Sequence, residues 1–374
     1  MIAALGPLFE TALSVGTFSG ASLLVASPER VLFEHCWGLT RSGGVPVTAD
    51  TRFDLASLTK PLATASLCMW AVSQGILKLD APLSRFFPMA ILPLEKQGIT
   101  LRHLLNHCSG LPPYEPFYLR LLETPPARRS QVLLSRILET PLTAPPGKIC
   151  QYSDLGFILL GMILETVLEA PLDRLAGRLL FDPLGIDDLH FLRLDVPSAD
   201  PTVPPGRASA GSFTFAATEL CPWRNRLLDG EVHDENAYCL SGVAGHAGLF
   251  GTARGVFTLA AFLWKVYRCR LCGSPFSSRV VEIFWKKPGM VPGSTWALGF
   301  DTPNCRDSSS GVHFSSGSVG HLGFTGTSLW MDLERNVMIV LLTNRVHPTR
   351  SNEKLKAFRP RLHNLVMETY HDRK

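Results

Sequence analysis

The chain has 374 residues, 46% of them hydrophobic and 18% charged, which is ample for a large core and too little charge for a disordered chain. Its 36 Lys and Arg stand against 32 Asp and Glu, a net charge of +4 with no basic run interleaved with aromatics, so nucleic acid is not an expected partner. The 9 cysteines are odd in number and scattered, which argues for reduced thiols rather than a disulfide framework.

The N-terminal stretch MIAALGPLFETALSVGTFSG has no Lys or Arg ahead of its apolar part, and Glu10 interrupts it, unlike a secretory leader. Residues 2–15 predict a short helix. GASLLVAS (20–27) and VLFEHCWGL (31–39) are β-rich runs joined by PER, the pattern of a hairpin. From Leu58 the apolar spacing turns helical, through Leu62, Ala65, Met69 and Val72, with Gly75 as a stop. Helices and Pro-rich loops run on to about residue 240, the longest loop being PSADPTVPPGRASAG (197–211). The most apolar stretch, LGFILLGMIL (155–164), is half the roughly 20 residues a bilayer span needs. A cytoplasmic protein without membrane contact is therefore expected. The tail predicts strands at WALGF (296–300), VHFSS (312–316), TSLWMDL (327–333) and NVMIVLLTN (336–344), then a last helix over 351–372 with a Pro interruption. β-rich ends enclosing a helical middle mean that both ends of the chain build one sheet. The expected fold class is α+β: an antiparallel sheet of five strands flanked by helices, with an all-helical region inserted. Residues 1–60 and 241–374 would form the sheet domain, and 61–240 the inserted, mainly helical domain, with the active site between them.

Three stretches could carry chemistry. In RFDLASLTK (52–60), Ser57 and Lys60 are three apart at a helix start, so the amine can reach the hydroxyl and take its proton. The same spacing recurs at Ser351 and Lys354. In QYSDLG (151–156), Tyr152 offers a phenol that can move protons beside cations. In GHLGFTGTSLW (320–330), glycines flank His321 just before a strand, where a backbone N–H could complete an oxyanion hole. Other candidates are weaker. His103 and His107 have zinc-protease spacing but Leu104 where such a site needs Glu. Cys269 and Cys272 form a single CxxC where structural zinc takes four ligands, so no metal and no cofactor is expected. His233, Asp234, Glu235 and Asn236 read as a loop network that could rim a pocket, His246 as a pocket or packing residue, and Tyr114, Phe117 and Tyr118 as aromatic core or an acyl pocket.

SLTK, then YSD, then HLG, in that order, resembles the serine β-lactamase and penicillin-binding-protein superfamily, and most of all its class C-like branch of esterases and D-peptidases. LRHLLNHCSGLPPY (101–114), GVAGHAGLFGTARG (242–255), WALGF and the closing strands fit the same resemblance, which spans roughly residues 2–370. It selects Ser57 over Ser351. It implies a β-lactamase/transpeptidase-like fold and an acyl-enzyme mechanism, with Ser57 as nucleophile, Lys60 as base or as the charge beside Tyr152, and Tyr152 as proton shuttle. Which of Lys60 and Tyr152 is the base stays open. Gly323 and Phe324 would bind substrate, the Phe324 N–H as second oxyanion donor, and Tyr114 would contact substrate.

Two departures from the family pattern bear on substrate. Asp154 stands where many members have Asn, and a carboxylate there would favour the Lys60 ammonium and repel anions. His321 and Leu322 replace the Lys and Thr that hold a substrate carboxylate, histidine being a weaker, pH-dependent cation. The expectation is a serine hydrolase acting on a small ester, amide or peptide, as esterase, amidase or D-aminopeptidase. The alternatives are a β-lactamase or D,D-peptidase acting on cell-wall fragments, and an inactive binding protein on the same fold.

Overall fold

The computed structural model describes residues 1–196, 200–207, 213–271, 273–304 and 308–371. Helix α1 (Ile2–Ser14) buries Leu5, Phe9 and Ala12. Strands β1 (Gly20–Ala26) and β2 (Val31–Gly38) form the hairpin, with Leu24 opposite Glu34. The two-residue β3 (Phe53–Asp54) leads into an irregular helical stretch: a 3-10 turn (Ala56–Leu58), a π-helical turn (Lys60–Ala65), and α2 (Ser66–Ser73). In the middle of the chain the regular elements are chiefly helices separated by loops, among them α3 (Leu101–Leu105) and α4 (Asp154–Leu168), with short strands such as β4 (Leu189–Phe191). Then come β5 (Leu249–Gly251), α5 (Ala253–Tyr267), β6 (Val319–Leu322), β7 (Ser328–Asp332), β8 (Val337–Thr343) and α6 (Leu355–His371).

The main sheet is antiparallel in the order β6-β7-β8-β1-β2. At its centre β1 pairs with β8, Ala21 opposite Thr343 and Ala26 opposite Met338. Both strands are buried along their whole length. Leu23, Val25, Ile339 and Leu341 face Phe9 of α1 and Leu362 of α6. Leu24, Ala26, Met338 and Val340 join the larger core, to which α5 contributes Leu259 and Leu263. Cover on both faces explains why these strands read as continuous apolar runs without polar alternation. A small second sheet, β3-β5-β4, pairs Phe53 and Leu189 with Gly251 and anchors the chain just before Ser57.

Two expected strands are absent. WALGF (296–300) is a tight turn: Gly299 adopts φ +78°, Ala297 N donates to Phe300 O at 2.8 Å, and Trp296 makes only an isolated bridge to Asp301. VHFSS (312–316) is a loop in which Phe314 packs near Trp330 and Ser315 binds Asp332 through both N and Oγ, at 2.9 and 2.6 Å. The fifth strand is instead β6. The last helix runs through Pro360 without a break and begins at Leu355, four residues later than expected. The long loop at 197–211 lies partly outside the described residues, and Cys272 lies outside them, so the CxxC has no described geometry; Cys269 is exposed. Among the described residues no single helix is long and apolar enough to cross a membrane, and no three His, Cys, Asp or Glu gather as a metal site.

Candidate active site

Ser57 is presented by a strained turn. Ala56, just before it, holds φ +47°, a left-handed conformation that costs a residue with a Cβ about 1–2 kcal/mol. The surroundings impose it. Asp54 Oδ1 accepts from Ala56 N at 2.8 Å, and Asp54 Oδ2 accepts from His233 N at 2.7 Å. Thr59 Oγ1 donates to Ala56 O at 2.6 Å and accepts from Leu249 N of β5 at 3.1 Å. Burial pushes the Asp54 carboxyl up, against those two backbone N–H groups.

Lys60 lies one helical turn on, with its side chain wholly buried. Its Nζ donates to Ser57 Oγ at 3.0 Å and to His246 O at 3.1 Å, and stands 2.7 Å from Asp154 Oδ1. An isolated buried ammonium would cost several kcal/mol. Burial alone pulls the Lys60 pKa down, but Asp154 and Tyr152 outweigh it and the net shift is upward. The amine rests as an ammonium.

Tyr152 and Asp154 come from the start of α4. Ser153 caps that helix, its Oγ accepting from Gly156 N at 3.4 Å and donating to Pro112 O at 2.7 Å, while Asp154 N donates to Pro113 O at 2.9 Å. The cap fixes both functional side chains against the SGLPPY loop. The Tyr152 hydroxyl lies beside Ser57 and Lys60, both of which pull its pKa down, and its ring centre is 4.9 Å from Lys60 Nζ. The ring sits among His107, Trp296 and His321, with centroids at 4.6, 5.3 and 6.0 Å. Burial raises the phenol's pKa, with Lys60 pulling the other way, so Tyr152 is protonated at neutral pH.

The Gly-rich loop carrying His246 lies directly on α4. A Cβ at Gly161 would sit 3.1 Å from Gly245 Cα, and one at Gly245 would strike Phe157 O, so glycine is required on both sides of the contact. His246 Nε2 meets Asp234 Oδ1 at 2.9 Å, and that carboxylate is held well below the usual range by His246 and by Ala237 N, against its own burial. His233 and Asp234 line the cleft and belong to a hydrogen-bond network at the same time.

On the opposite wall, β6 brings in His321. It is not a cation. The ring is buried, Nδ1 donates to Leu322 O at 2.7 Å, Nε2 has no partner, and burial with Lys60 nearby lowers its pKa to about 3. The pH-dependent positive charge expected of it is therefore missing. The following turn is tied to the nucleophile's own strand, Thr325 Oγ1 donating to Asp54 O at 2.7 Å and Thr327 Oγ1 to Leu55 O at 3.0 Å. Gly323 N donates to Thr327 O at 2.8 Å, while no group among the described residues accepts from Ser57 N or Phe324 N. Two free N–H groups on facing segments suit a developing oxyanion.

These walls enclose a cleft of about 800 Å³ that Ser57, Tyr152, Asp154 and His321 line, with half-exposed Tyr114 and Phe324 at its mouth. Tyr118 also lines it, whereas Phe117 packs on the core. His107 follows the end of α3 with φ +57° and accepts from Ser153 N through Nδ1 at 3.1 Å, whereas His103 caps Thr100; the two share no face. Sequence reasoning missed Asp54, whose only signal is a carboxylate in an otherwise apolar strand just ahead of the serine. It also missed Arg345 and Arg359, which line the cleft from the C-terminal side.

An antiparallel five-stranded sheet with helices on both faces and a Ser-Lys-Tyr cleft at its edge defines a β-lactamase/transpeptidase-like protein. The chain belongs to the Beta-lactamase family, whose model matches residues 8–362, and it is a serine hydrolase. It is 30% identical over 349 residues to an N-acetylmuramyl-L-alanine amidase of Bacillus subtilis (strain 168), covering 88% of this chain and 78% of that protein. It is 27% identical over 362 residues to a putative D-alanyl-D-alanine carboxypeptidase of Salmonella typhi, covering 90% and 81%. Among solved structures it resembles EstCE1, a hydrolase with promiscuous acyltransferase activity, with a TM-score of 0.68, 21% identity, and coverage of 96% of this chain and 98% of that one.

Proposed function

We propose that the chain is a serine amidase of the class C-like branch, cleaving an amide next to an alanyl unit through an acyl-enzyme on Ser57. The reading rests on one observation: Ser57 Oγ lies 3.0 Å from a lysine that is itself 2.7 Å from a carboxylate. The alanine amide bonds named in the two relatives point to amides ahead of esters.

The charges suggest how protons move. Lys60 rests as an ammonium and Tyr152 as a phenol, so Asp154 supplies the basic site. As Ser57 Oγ attacks the carbonyl carbon, Lys60 takes the serine proton and passes one of its own to Asp154. The oxyanion sits between the Ser57 and Phe324 N–H groups. When the C–N bond breaks, Tyr152 protonates the departing amine and is reprotonated from Asp154 through Lys60. Water then attacks the acyl carbon by the same relay. This leaves Lys60 as the immediate base and makes Asp154 the group that frees it.

A fluorophosphonate probe followed by intact-protein mass spectrometry tests the nucleophile: one adduct in the native chain and none in Ser57→Ala. Labelling that survives in Ser57→Ala removes the assignment. Release of alanine from N-acetylmuramyl-L-alanine, compared with release from D-alanyl-D-alanine, then distinguishes amidase from carboxypeptidase.

A further inference from the structure

A second cavity lies beside the cleft, across the Gly-rich loop. It holds about 370 Å³, at the small end of the roughly 300–1,000 Å³ of ligand pockets. One wall is α4, through Ile158, Met162 and Glu165, and the facing wall is the loop, through Val243 and Gly245. The next two residues of that loop, His246 and Ala247, line the cleft instead. The two cavities share no lining residue, yet one short stretch of chain is a wall of both.

The charges at the second cavity leave one carboxylate over. Arg193 is matched, its Nε and Nη2 donating to the two oxygens of Asp173 at 2.9 and 2.7 Å in a parallel fork. Glu165 is not matched. Its Oε1 accepts from Leu172 N at 2.8 Å, and no Lys, Arg or His among the described residues forms an ion pair with it. Burial raises the Glu165 carboxyl, with Leu172 N and the more distant Arg193 opposing. A half-buried carboxylate without a cation is a cost to the fold. An anion entering here would meet Glu165 and Asp173 together, and a neutral molecule would leave the charge unanswered. An ammonium answers it, and the walls around Ile158, Met162 and Val243 suit an apolar body behind the ammonium.

The shared wall connects this cavity to the nucleophile. Gly245 O accepts from Thr64 Oγ1 at 2.6 Å, and His246 O accepts from Lys60 Nζ at 3.1 Å, so the loop holds the helical turn that carries the lysine. On its other side the same loop is seated on Gly161 of α4, the helix whose first turn supplies Asp154. We propose that this cavity is an effector site for a small organic ammonium on a compact apolar body, whose binding clamps the Gly-rich loop to α4 and steadies Lys60 beside Ser57. Coupling of this kind runs through contiguous packed groups, here Glu165 and Met162 on one side and Val243 to His246 on the other. The ammonium site does not depend on the hydrolase reading; its effect on Ser57 does.

The probe is benzylamine, charged at neutral pH, against neutral benzyl alcohol, with binding followed by NMR titration of the Ser57→Ala protein. The amine is expected to bind about 10-fold or more tighter than the alcohol, the size of one hydrogen bond to a charged group. Glu165→Gln, which keeps an acceptor for Leu172 N, should bring the two close to parity. In the chain with Ser57 intact, saturating benzylamine should speed fluorophosphonate labelling about 5-fold, the low end of coupling between sites, and should not change labelling of Glu165→Gln. Equal binding of amine and alcohol, no binding of the amine, a ratio that survives Glu165→Gln in a folded protein, or labelling at an unchanged or slower rate with the amine bound overturns the proposal. If Glu165→Gln fails to fold, Met162→Trp, which fills the cavity, decides it: amine binding and acceleration must both be lost. A chain that binds the amine through Glu165 yet takes no label at all strikes the hydrolase reading and leaves the ammonium site standing.

Discussion

Lys60 Nζ and Asp154 Oδ1 stand 2.7 Å apart, an ion pair made between the turn after the nucleophile and the first residue of α4. The lysine is wholly buried and the aspartate about one-fifth exposed. The pair keeps an ammonium where an amine would be the better base, so the relay through Asp154 is the feature to test first.

Asp154→Asn removes the carboxylate and keeps the shape. Lys60 then loses the partner that raises its pKa, and burial drives it downward. Acylation at neutral pH is expected to slow about 100-fold, the low end for loss of a general base. The acid limb of the pH–rate profile should move to higher pH, because an amine replaces a carboxylate as the group that must lose its proton. A profile that superimposes on the native one would rule out the relay. Stability should fall by up to about 3 kcal/mol, as one partner of a buried pair is left alone.

Asp54→Ala removes the acceptor for two backbone N–H groups and with it the restraint on the Ala56 turn. Two hydrogen bonds to a charged group predict a loss of about 3 kcal/mol in urea unfolding. Probe labelling of Ser57 should slow more than the stability loss accounts for, because the serine is no longer aimed. Native labelling kinetics in a folded variant would show that the strained turn is not what positions Ser57.

Gly323→Ala tests the oxyanion turn. Its Cβ would lie 2.6 Å from Leu55 O and would collide with Thr327 Oγ1. The turn must shift, carrying Phe324 N away. A 100- to 1000-fold fall in kcat with little change in KM is expected, the size seen on losing one oxyanion donor. A KM effect alone would place the residue in ground-state binding instead.

Neutral histidines, two of them buried and one half-buried, predict sensitivity to acid. His190 is lowered to about 4, and His321 and His363 to about 3, in each case chiefly by burial. All take up protons near 6.5 once unfolded. Their contribution is complete above about pH 6.5 and is lost as the pH falls toward 3 to 4. One such residue gives about 2 kcal/mol between pH 7.5 and pH 5. Unfolding free energies from urea titration should therefore drop by at least that much over this range, and equal values at pH 7.5 and pH 5 would contradict the neutral state.

The centre of the sheet could be read from sequence because β1 and β8 are uninterrupted apolar runs at opposite ends of the chain. Ser57, Lys60 and Tyr152 could be read because each sits at a helix start that sequence marks. WALGF and VHFSS misled, since apolar content alone does not separate a strand from a buried turn, and a left-handed Gly299 decides the matter. Asp54 was invisible because its partners are backbone groups, one of them 179 residues away. The state of His321 was misread because its charge depends on burial and on Leu322 O, neither of which local sequence reveals. Arg345 and Arg359 were missed because no local motif marks them, and only the packing of the C-terminal end brings them to the cleft.

The middle of the sheet joins Ala21 to Thr343. During synthesis the first hairpin therefore waits until Val337–Thr343 has been made before it gains that neighbour. Ser57 is made early but cannot be armed early, because the β6–β7 turn that faces it follows Val319–Leu322, far later in the chain. A nascent chain stalled before residue 319 should be inert toward acylating reagents, a safeguard that topology provides against indiscriminate hydrolysis by half-made protein.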